Sequence, residues 1–184
     1  LQALNQRYIP NFVPPKEGNY IRLTTHNAPA QYINEQQLAA LPAQTYSFTA
    51  EVEGNFPESS YPADFKLILK PGAQVMFIKN DPQHRFYNGM IGEVIGVKTD
   101  ENGSKIIVRS KDSGEEFELE KMEWTNAKYT LNEKTKEIEE TVEGKFMQYP
   151  LRLAWAITIH KSQGLTFEHA IIDASHSFTH GQTY

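Results

Sequence analysis

Four turn pairs, Pro71-Gly72, Asn88-Gly89, Asn102-Gly103 and Ser113-Gly114, cut the middle of this 184-residue chain into runs too brief for helices. Between them, apolar residues recur in short strands: Leu67 and Leu69, Val75 and Phe77, Val94 and Val97, Ile106 and Val108. Short runs closed by Asn-Gly-type turns form antiparallel hairpins, and their regular spacing is what a small barrel or sandwich needs. Residues 124–131 and 138–148 read as a longer hairpin, closed by Asn132-Glu133-Lys134-Thr135-Lys136. The spacing therefore predicts an all-β body over residues 71–149.

The flanks have a different pattern. Tyr20-Ile21-Arg22-Leu23-Thr24-Thr25 reads as a strand. It runs into a helix that Asn27 can cap and whose first turn tolerates Pro29. Ala30, Ile33, Leu38 and Leu41 give that helix its apolar stripe, and Pro42 ends it. Tyr46, Phe48, Ala50 and Val52 alternate with polar residues, which predicts one further strand before a loop over 54–62. At the other end, residues 154–159 read as a strand, 160–164 as a polar turn, and Ala170-Ile171-Ile172-Asp173 as a short apolar strand. Continuous apolar runs of this kind suit a parallel sheet covered on both faces. The expected class is α/β plus β, an α/β unit interrupted by a β insert.

Charge follows the same division. Residues 71–146 carry 11 basic and 15 acidic groups, against 5 and 6 in 1–70 and 2 and 2 in 147–184. The net charge of −5 argues against holding nucleic acid by bulk charge, though a local groove can still do so. The chain has no cysteine, which excludes disulfides, thiolate metal sites and cysteine catalysis and fits a reducing cytoplasm. No apolar run approaches the length of a membrane span. With Leu1 first, no basic-then-apolar leader, and Tyr184 last, the expectation is a piece of a longer cytoplasmic protein.

The segment richest in chemistry is Thr158-Ile159-His160-Lys161-Ser162-Gln163-Gly164-Leu165-Thr166. An apolar strand here delivers polar residues and a glycine onto a strand-end loop, and open α/β sheets bind ligands outside such carboxyl ends. Lys161 offers charge, Ser162 and Gln163 offer hydrogen-bond donors, and Gly164 lets backbone N–H groups approach an anion. The plainer reading of the same residues is a loop with a satisfied His and a solvated Lys.

This segment closely resembles motif V of superfamily-one helicases in its Pif/RecD-like form. Leu69-Lys70-Pro71-Gly72-Ala73-Gln74-Val75-Met76, followed by Asn88-Gly89-Met90-Ile91-Gly92, looks like the entry into that family's SH3-like insert. Leu23-Thr24-Thr25-His26-Asn27-Ala28, with Asn34 further on, is similar to the strand and helix that precede the insert. The resemblance implies a partial RecA-like parallel-sheet domain, residues 1–70 and 150–184, interrupted by an SH3-like β-barrel over 71–149. It implies an ATP-dependent DNA helicase as the parent, tracking single-stranded DNA 5′ to 3′ and pairing this lobe with a first RecA-like motor domain of the same chain. By the same analogy Thr158, His160, Lys161 and Ser162 face DNA, while Gln163 and Gly164 lie nearer the nucleotide. ATP and Mg²⁺ would be held mostly by residues elsewhere in the parent. No G-x-x-x-x-G-K-[ST] occurs in the chain, and Asp100-Glu101 lies in a turn rather than at the end of an apolar strand. Phosphoryl transfer needs a Lys, metal ligands and usually an Arg together, so no catalytic residue is assigned here.

Three other constellations carry weaker signals. Asp173, His176 and His180 could hold a metal but lack a third strong ligand on a clear helix. A Ser162/His160/Asp173 triad lacks a nucleophile elbow. Trp124, Tyr129, Phe146 and Tyr149 could stack bases, although aromatics on alternating strands are more often core. Residues 115–123 read as an acidic, solvated face that keeps DNA away. A different class of function also fits the sequence, a non-catalytic module whose SH3-like barrel binds a peptide or nucleic acid.

Overall fold

In the computed structural model, residues 6–15, 18, 20–101, 103–131 and 138–173 are described. Two of the four turn pairs, Asn102-Gly103 and Ser113-Gly114, join neighbouring antiparallel strands as their spacing predicts, while Pro71-Gly72 links β4 (Lys66–Leu69) to a strand it does not pair with. Strands β5 (Gln74–Phe77), β6 (Ile91–Asp100), β7 (Gly103–Ser110) and β8 (Glu116–Leu119) form an antiparallel ladder, and β11 (Leu151–Leu153) closes its far edge beside β5. Asp100 pairs directly with Gly103, and Ser110 receives the Gly114 N–H at the next turn. Asn88-Gly89 differs from the two-residue hairpin turn expected. It ends a longer connection between Phe77 and Ile91, as a turn in which the Met90 N–H donates to Tyr87 O (3.2 Å).

The α/β flanks form a separate three-stranded sheet. β1 (Tyr20–Thr24) lies in its centre, parallel to both β12 (Ala156–Thr158) and β13 (His169–Ile172). α1 (Asn27–Ala40) follows β1 and packs along β12. His26, not Asn27, holds the N-cap position, and no side chain caps the helix; Asn27 is already the first helical residue. Asn34 fastens helix to strand instead: its Nδ2 donates to Ala156 O (2.8 Å) and its Oδ1 accepts the Ala156 N–H (2.9 Å).

The strand expected through Tyr46, Phe48, Ala50 and Val52 is two strands with different partners. β2 (Tyr46–Thr49) pairs with β4 (Lys66–Leu69), and β3 (Glu51–Gly54) pairs with β10 (Ile138–Gln148), itself paired to β9 (Met122–Leu131). The switch occurs at buried Ala50, whose N–H still follows the β2–β4 register to Phe65 O (2.7 Å) before Glu51 turns to β10. A single 3-10 turn, Glu58–Ser60, lies in the next loop. The β9–β10 hairpin forms as predicted; its proposed closing residues 132–136 lie outside the described residues.

The main core gathers Phe77, Phe86, Val75, Val94, Ile106, Val108 and Leu151 with Leu67 and Leu69 of β4 and Leu38 of α1. Apolar burial at about 25 cal/mol per Å² makes this cluster the chief stabiliser. Of the four aromatics that could stack bases, Phe146 and Tyr149 are buried and Trp124 lies edge-on to Phe146. Only Tyr129, 65% exposed, is free of the core. The acidic run is solvated, but four of its five carboxylates are in ion pairs: Glu116 with Arg109, Glu118 with Lys98, Glu120 with Lys105 and Glu123 with Lys145. The predicted apolar strand at the C-terminal end is only partly covered, with Ile172 68% exposed on the edge of the parallel sheet. No described helix is long and apolar enough to cross a membrane.

Candidate nucleic-acid interface

Parallel pairing brings the carboxyl ends of β1 and β12 together, with Leu23 opposite Ile157 and Thr24 opposite Thr158. Ile157 is buried, so the strand is fixed, and the residues after it are displayed at the sheet's edge. The chain there is not the extended strand to Ile159 and the polar turn expected from sequence. Residues Ile159–Ser162 form a single helical turn, α2, because Thr158 offers an oxygen just where a helix needs one. Its Oγ1 accepts the Lys161 N–H at 3.4 Å, at the long end of a hydrogen bond.

All six residues singled out for DNA and nucleotide therefore lie on one helical turn, its N-cap Thr158 and its exit. Thr158 is 5% exposed, its hydroxyl turned to its own helix. His160 and Lys161 are exposed. Ser162 is half-buried and donates to Ile159 O (2.7 Å), which ties its hydroxyl to the turn rather than to a triad. Gln163 and Gly164 are exposed, Gly164 with φ +77° and open space on its side-chain side. Beside them, at the end of β1, Thr24 Oγ1 donates to His26 O (2.9 Å) and Thr25 Oγ1 lies 2.8 Å from His26 Nδ1.

A groove of about 590 Å³ runs from this turn between α1, β12 and β4. Lys161, Arg152 and Lys66 line it with Asp64, Glu35, Asn27, Asn34 and Thr158. Arg152 donates to Pro62 O (3.1 Å). Burial holds the Arg152 guanidinium below its ordinary pKa, against the pull of Asp64. Lys161 is likewise pushed down, first by the protein crowding its ammonium and then by the nearby Arg152 charge, with Asp64 opposing. Its side chain is exposed overall, so solvent screens much of this effect. Two like charges facing one groove favour an anion between them. Sequence reasoning missed Arg152 and Lys66. The available signal was a charge inside the apolar run Leu151-Arg152-Leu153-Ala154, since a strand rarely buries an arginine without a use for it.

A second groove, about 620 Å³, lies on the β body and is lined by Ser47, Glu51, Lys105, Glu120, Lys121 and Tyr149 among others. Both lysines are already paired, Lys105 with Glu120 (2.8 Å) and Lys121 with Glu51 (2.6 Å). It is slightly larger, but the first groove is the better anion site, because among the described residues none of Lys66, Arg152 and Lys161 is in an ion pair. Among the described residues no three metal-ligating side chains cluster. Of the metal trio suggested by sequence, Asp173 ends β13 with its N–H on Leu23 O, while His176 and His180 lie outside the described residues.

No family model matches the chain. Comparison with curated proteins finds the ATP-dependent DNA helicase Pif1 of Psychrobacter sp., 34% identical over 94% of this chain and 33% of its own length. Among solved structures, Bacteroides sp. Pif1 in complex with ADP-AlF4 matches with a TM-score of 0.79 and 41% identity, covering 91% of this chain and 37% of that one. Bacteroides Pif1 bound to ssDNA matches at 0.72 and 42%, over 90% of this chain and 37% of that one. The chain thus spans about a third of the length of the curated relative of Psychrobacter. Sequence and mixed α/β fold agree, and along nearly its whole length this chain is a homologue of part of the Pif1 DNA helicases.

Proposed function

We propose that this chain is the second RecA-like lobe of a Pif1-type helicase, formed by residues 1–70 and 150–184, with an SH3-like barrel inserted over 71–149. The parent protein hydrolyses ATP and moves 5′ to 3′ along single-stranded DNA. ATP and Mg²⁺ are held mainly outside this chain, in the cleft it forms with a first RecA-like domain. The Thr158–Ser162 turn grips the strand: His160 and Lys161 reach phosphates, Thr158 and Ser162 hold the turn's shape, and Gln163 and Gly164 face the nucleotide side. Arg152 lines the same track from below.

One observation carries this reading. The residues that resemble motif V project from the carboxyl end of a parallel strand, beside a groove that Arg152 and Lys66 also line. The identity to a Pif1 bound to ssDNA supports nucleic acid as the ligand.

The test uses the full-length parent. His160→Ala and Lys161→Ala should each reduce DNA-stimulated ATP hydrolysis and unwinding on the order of tenfold, the equivalent of one charge-assisted contact. Wild-type stimulation and unwinding in both variants would remove the motif assignment.

A further inference from the structure

The segment after the 159–162 turn does not run free. Leu165 packs against a buried cluster that joins Ile21 and Ile157 of the parallel sheet to Met76 and Ile91 of the β body. From the β-body side it meets Gly89: a Cβ placed there would come within 2.8 Å of Leu165 Cδ2 and 3.4 Å of its Cγ. Gly89 has φ +97°, a conformation that glycine alone adopts without strain. The turn is stiffly mounted. Gly89 N–H donates to O of fully buried Phe77 (2.8 Å), and Asn88 N–H donates to Asn80 Oδ1 (2.8 Å). The same loop is braced by Asp81, whose carboxylate accepts from Arg85 N, Nε and Nη2. On the other side Leu165 N–H donates to Ser162 O (3.1 Å), which joins the contact directly to the helical turn.

We propose that the 87–90 turn is a positioning element for the 159–165 segment: the bare face of Gly89 sets how closely Leu165 seats, and so where His160 and Lys161 stand over the strand. The β body thereby holds a mechanical link to the DNA grip. This rests on the function proposed above. Gly89 and Leu165 touch neither DNA nor nucleotide in this account; they act through Lys161 and His160.

The experiment measures ATP hydrolysis by the full-length protein against oligo(dT) concentration. It compares wild type, Gly89→Ala, Leu165→Ala and the double variant, with Gly114→Ala as the control for strain. Gly114 shares a left-handed φ (+75°) but faces open space. Gly89→Ala should raise the half-saturating DNA concentration about fivefold, with DNA-free hydrolysis and the maximal rate little changed. Gly114→Ala should leave it unmoved at a comparable loss of melting temperature. Removing the Leu165 side chain relieves the clash, so the double variant should lie nearer wild type than the product of the single losses. Gly89→Ala matching Gly114→Ala, or losses that simply multiply, would overturn the link. If Gly89→Ala does not fold, Leu165→Ala alone must still shift half-saturation, and an unchanged value overturns the proposal. A wild-type protein that DNA does not stimulate refutes the proposed function itself, a distinct outcome.

Discussion

Lys161 stands where a stability argument would not put it. Crowding and the Arg152 charge both disfavour its ammonium form, so its pKa falls below the ordinary 10.5. In the folded chain the charge is therefore harder to hold than in the unfolded one, and stability rises with pH through the window below 10.5. Lys161→Met should raise the denaturation midpoint at neutral pH, and the gap should close as pH approaches 10.5. In the same variant DNA binding should weaken. A midpoint that drops at neutral pH would mean that the lysine is structural. Sequence alone marks Lys161 and His160, because a polar run after an apolar strand is visible in one dimension. The charge of Arg152 within its apolar run is visible in the same way, but its place in this groove is not, because it depends on the bend by which β11 leads into β12.

Elements in this chain are fastened by buried amides as much as by ladders. Gln148, fully buried, donates through Nε2 to Phe48 O (3.0 Å), Asp64 O (3.1 Å) and Phe65 O (3.3 Å), while its Oε1 accepts the Tyr149 N–H (3.0 Å). Those carbonyls lie where β2 ends and the chain changes partners, so the glutamine fills the gap that the split strand leaves. Gln74 does the same between β5, Tyr20 O (3.1 Å) and Ala154 O (2.8 Å), joining the β body to the parallel sheet. Gln148→Leu should cost about 1–3 kcal/mol in urea unfolding of this chain, the penalty for orphaned buried acceptors. A loss below about 0.5 kcal/mol would show that water replaces the amide. The alternation of Tyr46, Phe48, Ala50 and Val52 predicts the strand's faces correctly but not its break. Period-two patterning reports which side is buried, and says nothing of which strand lies alongside.

The 78–90 loop offers a pH test at the same scale. Arg85 hydrogen bonds hold the Asp81 carboxyl below the ordinary 3.8, so its stabilisation is present above 3.8 and is lost as pH falls through the lower folded value. Proteolytic cleavage in this loop should rise as pH falls below 3.8, and Asp81→Asn should cleave readily at neutral pH as well. Equal resistance in the variant at neutral pH would mean that the ion pair does not brace the loop. The loop's length is not legible in Asn88-Gly89, because an Asn-Gly pair specifies a tight turn without specifying how far back its hairpin begins.

At the scale of the whole molecule, two ends of the chain, Tyr20–Thr24 and Ala156–Ile172, meet as one parallel sheet while the β body is spun out between them. The strands of that sheet are legible in the apolar runs near each end, but the extent of the β body is not, because β3 pairs with β10 and β11 with β5 beyond the turns that suggest its limits. Nor is the shared core. Leu38 of α1 and Leu67 and Leu69 of β4 pack with the β body, since side chains remote in sequence meet only once the sheets are assembled. The role proposed for the turn after β12 is to hold phosphates of a single strand. Its most direct test is the affinity of the full-length protein for oligo(dT), without nucleotide, measured by anisotropy across a salt titration. Deleting one phosphate-binding cation should reduce the slope of log affinity against log salt by about 0.7, so Lys161→Ala should bind more weakly with a slope shallower by that amount. Equal affinity and an unchanged slope in Lys161→Ala would contradict the account.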